Sequence, residues 1–327
     1  MPLKEARVRR LLLALLLLIL PGLAAANCTA PGATVSLGST NSLSLITTAQ
    51  QAAGSGGISC TGSLTLLANN FTRVTLNSTP MLSRDGRQIP LQVFTNSGYT
   101  NALQPGQPVI LNNATLLNLG GSGASVPLYF RTATGANVPA GTYTATLSLT
   151  WQYAVCTGIS AAGICTAWSR SPGTATPNCN LLSCSQPSTW GAGSTVTVTV
   201  SLVVTKACVI SSSELVMDFG TQALVSQFAP VTRSVGVTCT NTEGYTVGFD
   251  NGQNYQAPWR RMISGSSFLG YNLYFPNTST VWTTSQTQPM VGTGLLQSIP
   301  FQGVINPAQA NVPAGTYTDN VTVIIQY

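Results

Sequence analysis

The sequence predicts an all-β fold: two immunoglobulin-like β-sandwich domains in one chain, the second lacking its last strand. Three observations predict it. Short runs that alternate apolar and polar residues, separated by Gly, Asn and Pro, recur through both halves, the pattern of half-buried strands. The octapeptide NVPAGTYT occurs at residues 137–144 and again at 311–318, an offset of 311 − 137 = 174 that still holds at Gln152–Tyr153 and Gln326–Tyr327. The first copy runs on into Thr195-Val-Thr-Val-Thr-Val-Ser-Leu-Val-Val204, whereas the sequence stops soon after the second. That continuation places Val196, Val198, Val200, Leu202 and Val204 on one face of a strand. A β-domain short of such a strand presents an unpaired edge and needs another polypeptide.

Taken in order, residues 1–26 read as a secretory signal: Lys4, Arg7, Arg9 and Arg10 precede the apolar run Leu11–Leu20, and Ala24, Ala25 and Ala26 form a small-residue cleavage site. The apolar run is shorter than the roughly 20 residues a membrane span requires. With the signal removed, 13 − 4 = 9 basic and 7 − 1 = 6 acidic residues remain, a net charge of +3 spread over the mature chain. That density excludes a phosphate-neutralising surface, so no nucleic-acid partner is expected. A hydrophobic content of 44% excludes disorder. All eight cysteines, Cys28, Cys60, Cys156, Cys165, Cys179, Cys184, Cys208 and Cys239, follow the signal, and an even number in an exported chain reads as a disulfide framework. Cys28/Cys60 and Cys208/Cys239 sit 60 − 28 = 32 and 239 − 208 = 31 residues apart, and are read as equivalent bridges between the first two strands of each half. The other four leave three pairings open.

The first domain, residues 27–205, is expected to hold seven strands. They begin after Cys28, end near Cys60, and continue around Phe71–Ser78, Gln88–Phe94, Val126–Arg131, Thr142–Tyr153 and Val196–Val204. The second, residues 206–327, is expected to hold six, near Leu215–Phe219, Val231–Cys239, Tyr245–Asp250, Phe268–Phe275, Gln297–Gly303 and Thr316–Tyr327. Immunoglobulin topology sends three connections of the first domain to the pole far from the second. These carry Leu64, Leu66 and Leu67; Leu116 and Leu117; and Trp168, Leu181, Leu182 and Trp190. Two of these connections, of roughly 30 and 40 residues, far exceed the usual loop length of about 4–6. Trp151, Tyr153, Tyr317 and Tyr327 fall at strand positions and are read as core; Arg84, Arg87, Arg260 and Arg261 are most simply solvated faces.

Catalytic chemistry has little to work with. The chain has no His, which removes Ser–His and Cys–His arrangements and argues against zinc. Asp85 is the only acidic residue of the first half, and Glu214, Asp218, Glu243, Asp250 and Asp319 suit turns and strand ends. No enzyme and no cofactor are expected.

The run Leu269-Gly-Tyr-Asn-Leu-Tyr-Phe275 with Trp282, then Ile299-Pro-Phe301 and Ala314-Gly-Thr-Tyr-Thr-Asp-Asn-Val-Thr-Val323, resembles the spore coat protein U domain, the pilin domain of archaic chaperone–usher pili. Ile89-Pro-Leu-Gln-Val-Phe94 and residues 137–153 carry the resemblance more loosely into the first half. It implies a missing strand supplied first by a periplasmic chaperone and then by an adjacent pilin subunit, with assembly at an outer-membrane usher. Shaft subunits of that family donate an extension ahead of their first cysteine; here only Asn27 stands between the signal and Cys28, which implies a place at the pilus tip. The two-domain tip adhesins of such pili bind through apolar distal loops, so the same connections here would meet an abiotic or host surface at the cell exterior. The acceptor groove would lie between the first and sixth strands of the second domain, lined in part by Val321, Val323, Ile325 and Tyr327. A strand like Val196–Val204 buries five apolar side chains worth about 1.5–3 kcal/mol each, so its absence forfeits roughly 8–15 kcal/mol, on the scale of a whole domain's stability. Two other readings are a structural spore-coat or pilus-shaft protein with no binding pole, and a lectin-type adhesin with a sugar site around Trp168 and Trp190.

Overall fold

The computed structural model describes residues 27–61, 70–111, 124–159, 165–180, 183–211 and 215–327. Residues 1–26, read from the sequence as a signal, and Leu64, Leu66, Leu67, Leu116, Leu117, Leu181 and Leu182 lie outside the described residues.

The first sandwich contains β1 (Asn27–Thr29), β2 (Ala33–Asn41), helix α1 (Ser42–Thr47), β3 (Gln51–Thr61), β4 (Phe71–Leu76), β5 (Met81–Arg84) and β6 (Arg87–Phe94). It continues through β7 (Pro108–Leu111), β8 (Ala124–Thr132), β9 (Gly141–Ile159), β10 (Cys165–Arg170) and β11 (Ser194–Thr205). The strands join in the order β1-β3-β8-β6-β5-β9-β11-β2, with β10 and β4 paired to β9 and β7 paired to β4. The β5–β6 hairpin carries the chain from one layer to the other, and the two layers close over one core that includes Val74, Ile89, Phe130, Leu147 and Trp151. The Trp151 indole N–H donates to the Gly56 carbonyl at 3.0 Å, which satisfies its polar atom inside that core.

β11 completes this sandwich. It runs antiparallel to β9, from Ser194 opposite Trp151 to Val204 opposite Gly141, and parallel to β2 on its other side. Val198, Val200 and Leu202 are fully buried, and Val196 and Val204 nearly so. The strand that alternation predicted is therefore a central one, sealed on both edges.

The second sandwich contains β12 (Cys208–Ile210), β13 (Val231–Cys239), β14 (Gly244–Phe249), β15 (Arg260–Ser264), β16 (Ser267–Tyr274), β17 (Gln288–Val291), β18 (Gln297–Ile305) and β19 (Val323–Gln326). One sheet is ordered β12-β13-β18-β16-β15 and the other β17-β14-β19. They pack over Val235, Tyr245, Phe249, Leu273, Trp282 and Phe301. Immunoglobulin-like sandwiches thus form both halves, as the alternation predicted.

The disulfides resolve the open pairings. Cys208 bonds Cys239 across β12 and β13, Cys156 bonds Cys165 across the β9–β10 hairpin, and Cys179 bonds Cys184. Cys28, itself disulfide-bonded, faces Cys60 in register across β1 and β3.

Several expectations need correction. Leu215–Phe219 forms no ladder, and of Thr316–Tyr327 only Val323–Gln326 is strand; both segments face the position where β11 lies in the first sandwich, and a strand edge with no partner has no ladder to join. Arg260 is not on a solvated face. It is fully buried, and its Nε donates to the Asp250 carbonyl at 2.8 Å while one terminal nitrogen donates to the carbonyls of Trp282 at 2.8 Å and Phe249 at 3.2 Å. Tyr327, read as core, is 58% exposed. Helix α1 is capped by Asn41, whose Oδ1 accepts the Ser44 N–H at 2.7 Å; six residues are too few to show a helical period.

The sandwiches meet through polar contacts. Ser42 and Thr240 share a buried hydroxyl hydrogen bond of 2.6 Å, Asn137 Nδ2 donates to the Thr293 carbonyl at 2.9 Å, and Asn241 Nδ2 donates to the Asn137 carbonyl at 3.3 Å.

Candidate functional site: an open groove in the second sandwich

The two repeat copies begin alike and then diverge. Tyr143 donates its hydroxyl to the Pro139 carbonyl at 2.9 Å and Tyr317 donates to Pro313 at 2.8 Å, the same tyrosine corner at both positions. Beyond it, the inward residues Tyr143, Ala145, Leu147, Leu149, Trp151 and Tyr153 are all buried. Their counterparts 174 residues on, Tyr317, Asp319, Val321, Val323, Ile325 and Tyr327, are all partly or largely exposed. The sequence period is the same in both; what differs is the strand alongside. β9 has β11 on its flank, whereas among the described residues β19 pairs with β14 alone.

Where β11 would lie, the second sandwich has a groove of about 710 Å³. One wall is Ile210, Leu215, Val216, Met217 and Phe219, the other is Asp319–Val323, and the floor is Val235, Phe249, Met262, Leu273 and Phe301. Val216 is 75% exposed at the rim. Main-chain groups along both walls face no ladder partner among the described residues. The walls are held by separate bonds instead. Thr318 exchanges main-chain hydrogen bonds with Ile263, and the Asp250 N–H donates to the Thr322 carbonyl at 3.0 Å. On the opposite wall the Arg233 guanidinium donates to the Val216 carbonyl at 3.2 Å.

Two carboxylates pin the terminal segment. Asp250 Oδ1 accepts the N–H groups of Thr322 at 2.9 Å and Gly252 at 3.0 Å. Burial alone would push this carboxyl up, but those hydrogen bonds and the Arg260 charge bring it below its ordinary value. Asp319 Oδ2 accepts the Tyr271 hydroxyl at 2.7 Å, and Oδ1 accepts the Gln253 N–H at 2.9 Å. Burial first, and the Asp319 hydrogen bond second, push the Tyr271 phenol far up. Burial pulls the Arg260 guanidinium down, against the raising effect of neighbouring Tyr271, Asp250 and Asp319.

Of the four predicted groove residues, Val321 and Val323 line the groove, Ile325 packs on the core beside it, and Tyr327 is exposed. Met217, Phe219, Tyr271 and Asp319 line it too, unforeseen as a group. The apolar run Leu215–Phe219 carried a signal for its own wall, whereas the Tyr271–Asp319 contact spans 319 − 271 = 48 residues with no local pattern to reveal it.

At the other pole, Trp168 and Trp190 are half-buried. Trp168 stacks on Phe71 at 6.3 Å and packs against the Cys156–Cys165 bridge. Trp190 lies under the Arg73 guanidinium, 4.9 Å from its ring centre, and Arg73 Nε donates to Gln152 at 2.7 Å. Both rings are thus built into the base of the insertion that follows β9. Among the described residues, no group of His, Cys, Asp and Glu could hold a metal ion.

The fold is thus a double sandwich whose second member is open along one edge among the described residues. The chain matches the Spore Coat Protein U domain over residues 16–150 and again over 194–324, and it belongs to that family. No curated protein matches it. Among solved structures, the CsuC–CsuE chaperone–tip adhesion subunit pre-assembly complex from archaic chaperone–usher Csu pili of Acinetobacter baumannii is similar at 24% identity and a TM-score of 0.61, covering 92% of this chain and 100% of that one. The CooA pilin subunit of enterotoxigenic Escherichia coli aligns over 55% of this chain and 99% of its own, at 14% identity and a TM-score of 0.31. The adhesin CfaE of the same organism covers 91% and 92%, at 11% and 0.30; likeness at these two scores carries no argument.

Proposed function

We propose that the protein is a tip adhesin subunit of an archaic chaperone–usher pilus. In this reading residues 27–205 form the binding domain and residues 206–327 the domain that joins the fibre by accepting a donor strand. The observation that carries it is internal to the chain: the groove of the second sandwich lies where the first sandwich holds its own β11. A strand entering there gains main-chain hydrogen bonds along both walls and buries alternate side chains on an apolar floor, the two components of β-augmentation. A periplasmic chaperone fills the groove before assembly at the outer-membrane usher, and an adjacent pilin subunit fills it in the fibre. The similarity to the CsuC–CsuE fold and the membership of the family support this assignment.

Attachment falls to the connections that the sequence assigns to the pole of the first domain opposite the junction, those bearing Leu64, Leu66, Leu67, Leu116, Leu117, Leu181 and Leu182, together with Trp168 and Trp190. The apolar composition of these connections suits a hydrophobic abiotic or host surface, and biofilm formation would follow from such contact. The test is to replace Leu116, Leu117, Leu181 and Leu182 by Ser in cells that display the fibre. Attachment to a hydrophobic surface should fall while the amount of displayed fibre is unchanged. Unaltered attachment would remove the adhesive pole and leave a structural subunit, and inhibition by a soluble sugar would favour a lectin.

A further inference from the structure

The two sandwiches differ at a hydrogen-bonded pair beneath this strand position, in which Tyr271 is buried and Asp319 partly exposed. Counting from each hairpin turn, Leu91 is the fourth residue after Arg87, which pairs with Arg84, and Tyr271 is the fourth after Ser267, which pairs with Ser264. Ala145 and Asp319 are related by the repeat, 319 − 145 = 174. The completed sandwich therefore has Leu91 and Ala145, each 3% exposed, where the open one has Tyr271 and Asp319, hydrogen-bonded at 2.7 Å. In the first sandwich Ala145 stands opposite Val200 of β11.

We infer that the Tyr271–Asp319 pair sets the sequence and register of the incoming strand, by requiring a residue with a hydroxyl or amide donor at the position equivalent to Val200. Size and polarity both drive this. Asp is larger than Ala, so less room is left opposite it. The two carboxylate oxygens already accept from Tyr271 and Gln253, but each keeps acceptor capacity, and a valine laid over them would seal it without a partner. The carboxylate is itself firmly placed: a Cβ on Gly252, which has φ +70, would run into it. At the remaining positions the floor is apolar, so the other alternate residues of the donor stay aliphatic. One polar position among several apolar ones fixes register, because a two-residue slip puts valine on Asp319. It also disfavours the chain's own β11 from a second copy, whose Val200 would face the carboxylate.

This inference rests on the strand-accepting reading above, and one peptide series separates the two. The probe is the β11 sequence Thr195–Val204, labelled at its terminus, titrated into the mature chain. Five further peptides carry Thr in turn at positions 196, 198, 200, 202 and 204. Thr keeps the outline of Val and adds a hydroxyl, so the substitution Val200→Thr should tighten binding by about tenfold, the effect of giving a buried acceptor its partner, while the other four weaken it. In Asp319→Ala the order should invert, with the Val200 parent preferred. Weakening at position 200 like the rest, on the wild-type chain, overturns the role of Asp319 without reference to how the variant folds. If no peptide of the series binds, the strand-accepting groove itself is overturned.

Discussion

Asp250 and Arg260 show how much of the second sandwich depends on single polar side chains. Arg260 is buried and makes no ion pair among the described residues, although the Asp250 and Asp319 carboxylates act on it from nearby; its charge is met largely by main-chain carbonyls of Phe249, Asp250 and Trp282. Removing it leaves those acceptors unpaired, so Arg260→Met should destabilise the second sandwich by about 2–4 kcal/mol in thermal or urea unfolding. No local pattern marks Arg260 as different from Arg261 beside it, since its acceptors are main-chain atoms that only the tertiary fold assembles. Asp250 predicts a pH dependence. Its folded carboxyl lies below the ordinary value of about 3.9, so its contribution is fully present above that value and is lost as pH falls through the folded one. The melting temperature of the wild type should therefore drop more steeply below about pH 4 than that of Asp250→Asn. Parallel curves for the two proteins would show that the Asp250 hydrogen bonds to Thr322 and Gly252 carry no charge-dependent stability.

At the scale of elements, what was legible in the sequence was whatever alternates over a whole strand. Val196–Val204 showed its buried face outright, and the β13, β14, β16 and β18 positions were readable for the same reason. Short strands such as β7, β15 and β17 exist because a neighbour pairs with them, and four or five residues hold too little alternation to announce that. Leu215–Phe219 gives the opposite lesson: the run is apolar enough to read as a strand, but with no strand beside it no ladder forms. Placing a charge in each equivalent wall tests this symmetry. Leu149→Asp, in the corresponding and fully buried wall of the filled groove, should cost the first sandwich more than about 4 kcal/mol. Val323→Asp, at the rim of the open one, should change the stability of the chain alone by less than about 1 kcal/mol yet abolish binding of the β11 peptide. Unfolding curves and the same titration distinguish the two effects, and equal destabilisation by both would mean that the second groove is already closed.

For the whole molecule, the chain contains its own control. One sandwich is complete and the other lacks the same strand, with polar contacts between Ser42 and Thr240 and between Asn137 and Thr293 joining them. The stability of the two halves should therefore be unequal, by an amount set by the missing strand. Calorimetry on the mature chain tests this most directly, comparing it with a version in which the β11 sequence, bearing Thr at the position of Val200, is fused after Tyr327 through a short flexible turn. The account predicts two transitions in the natural chain, and a large upward shift of the lower one alone in the fusion, lost when the alternate apolar residues of the fused strand become Asp. A single transition in the natural chain that the fused strand leaves in place would contradict it.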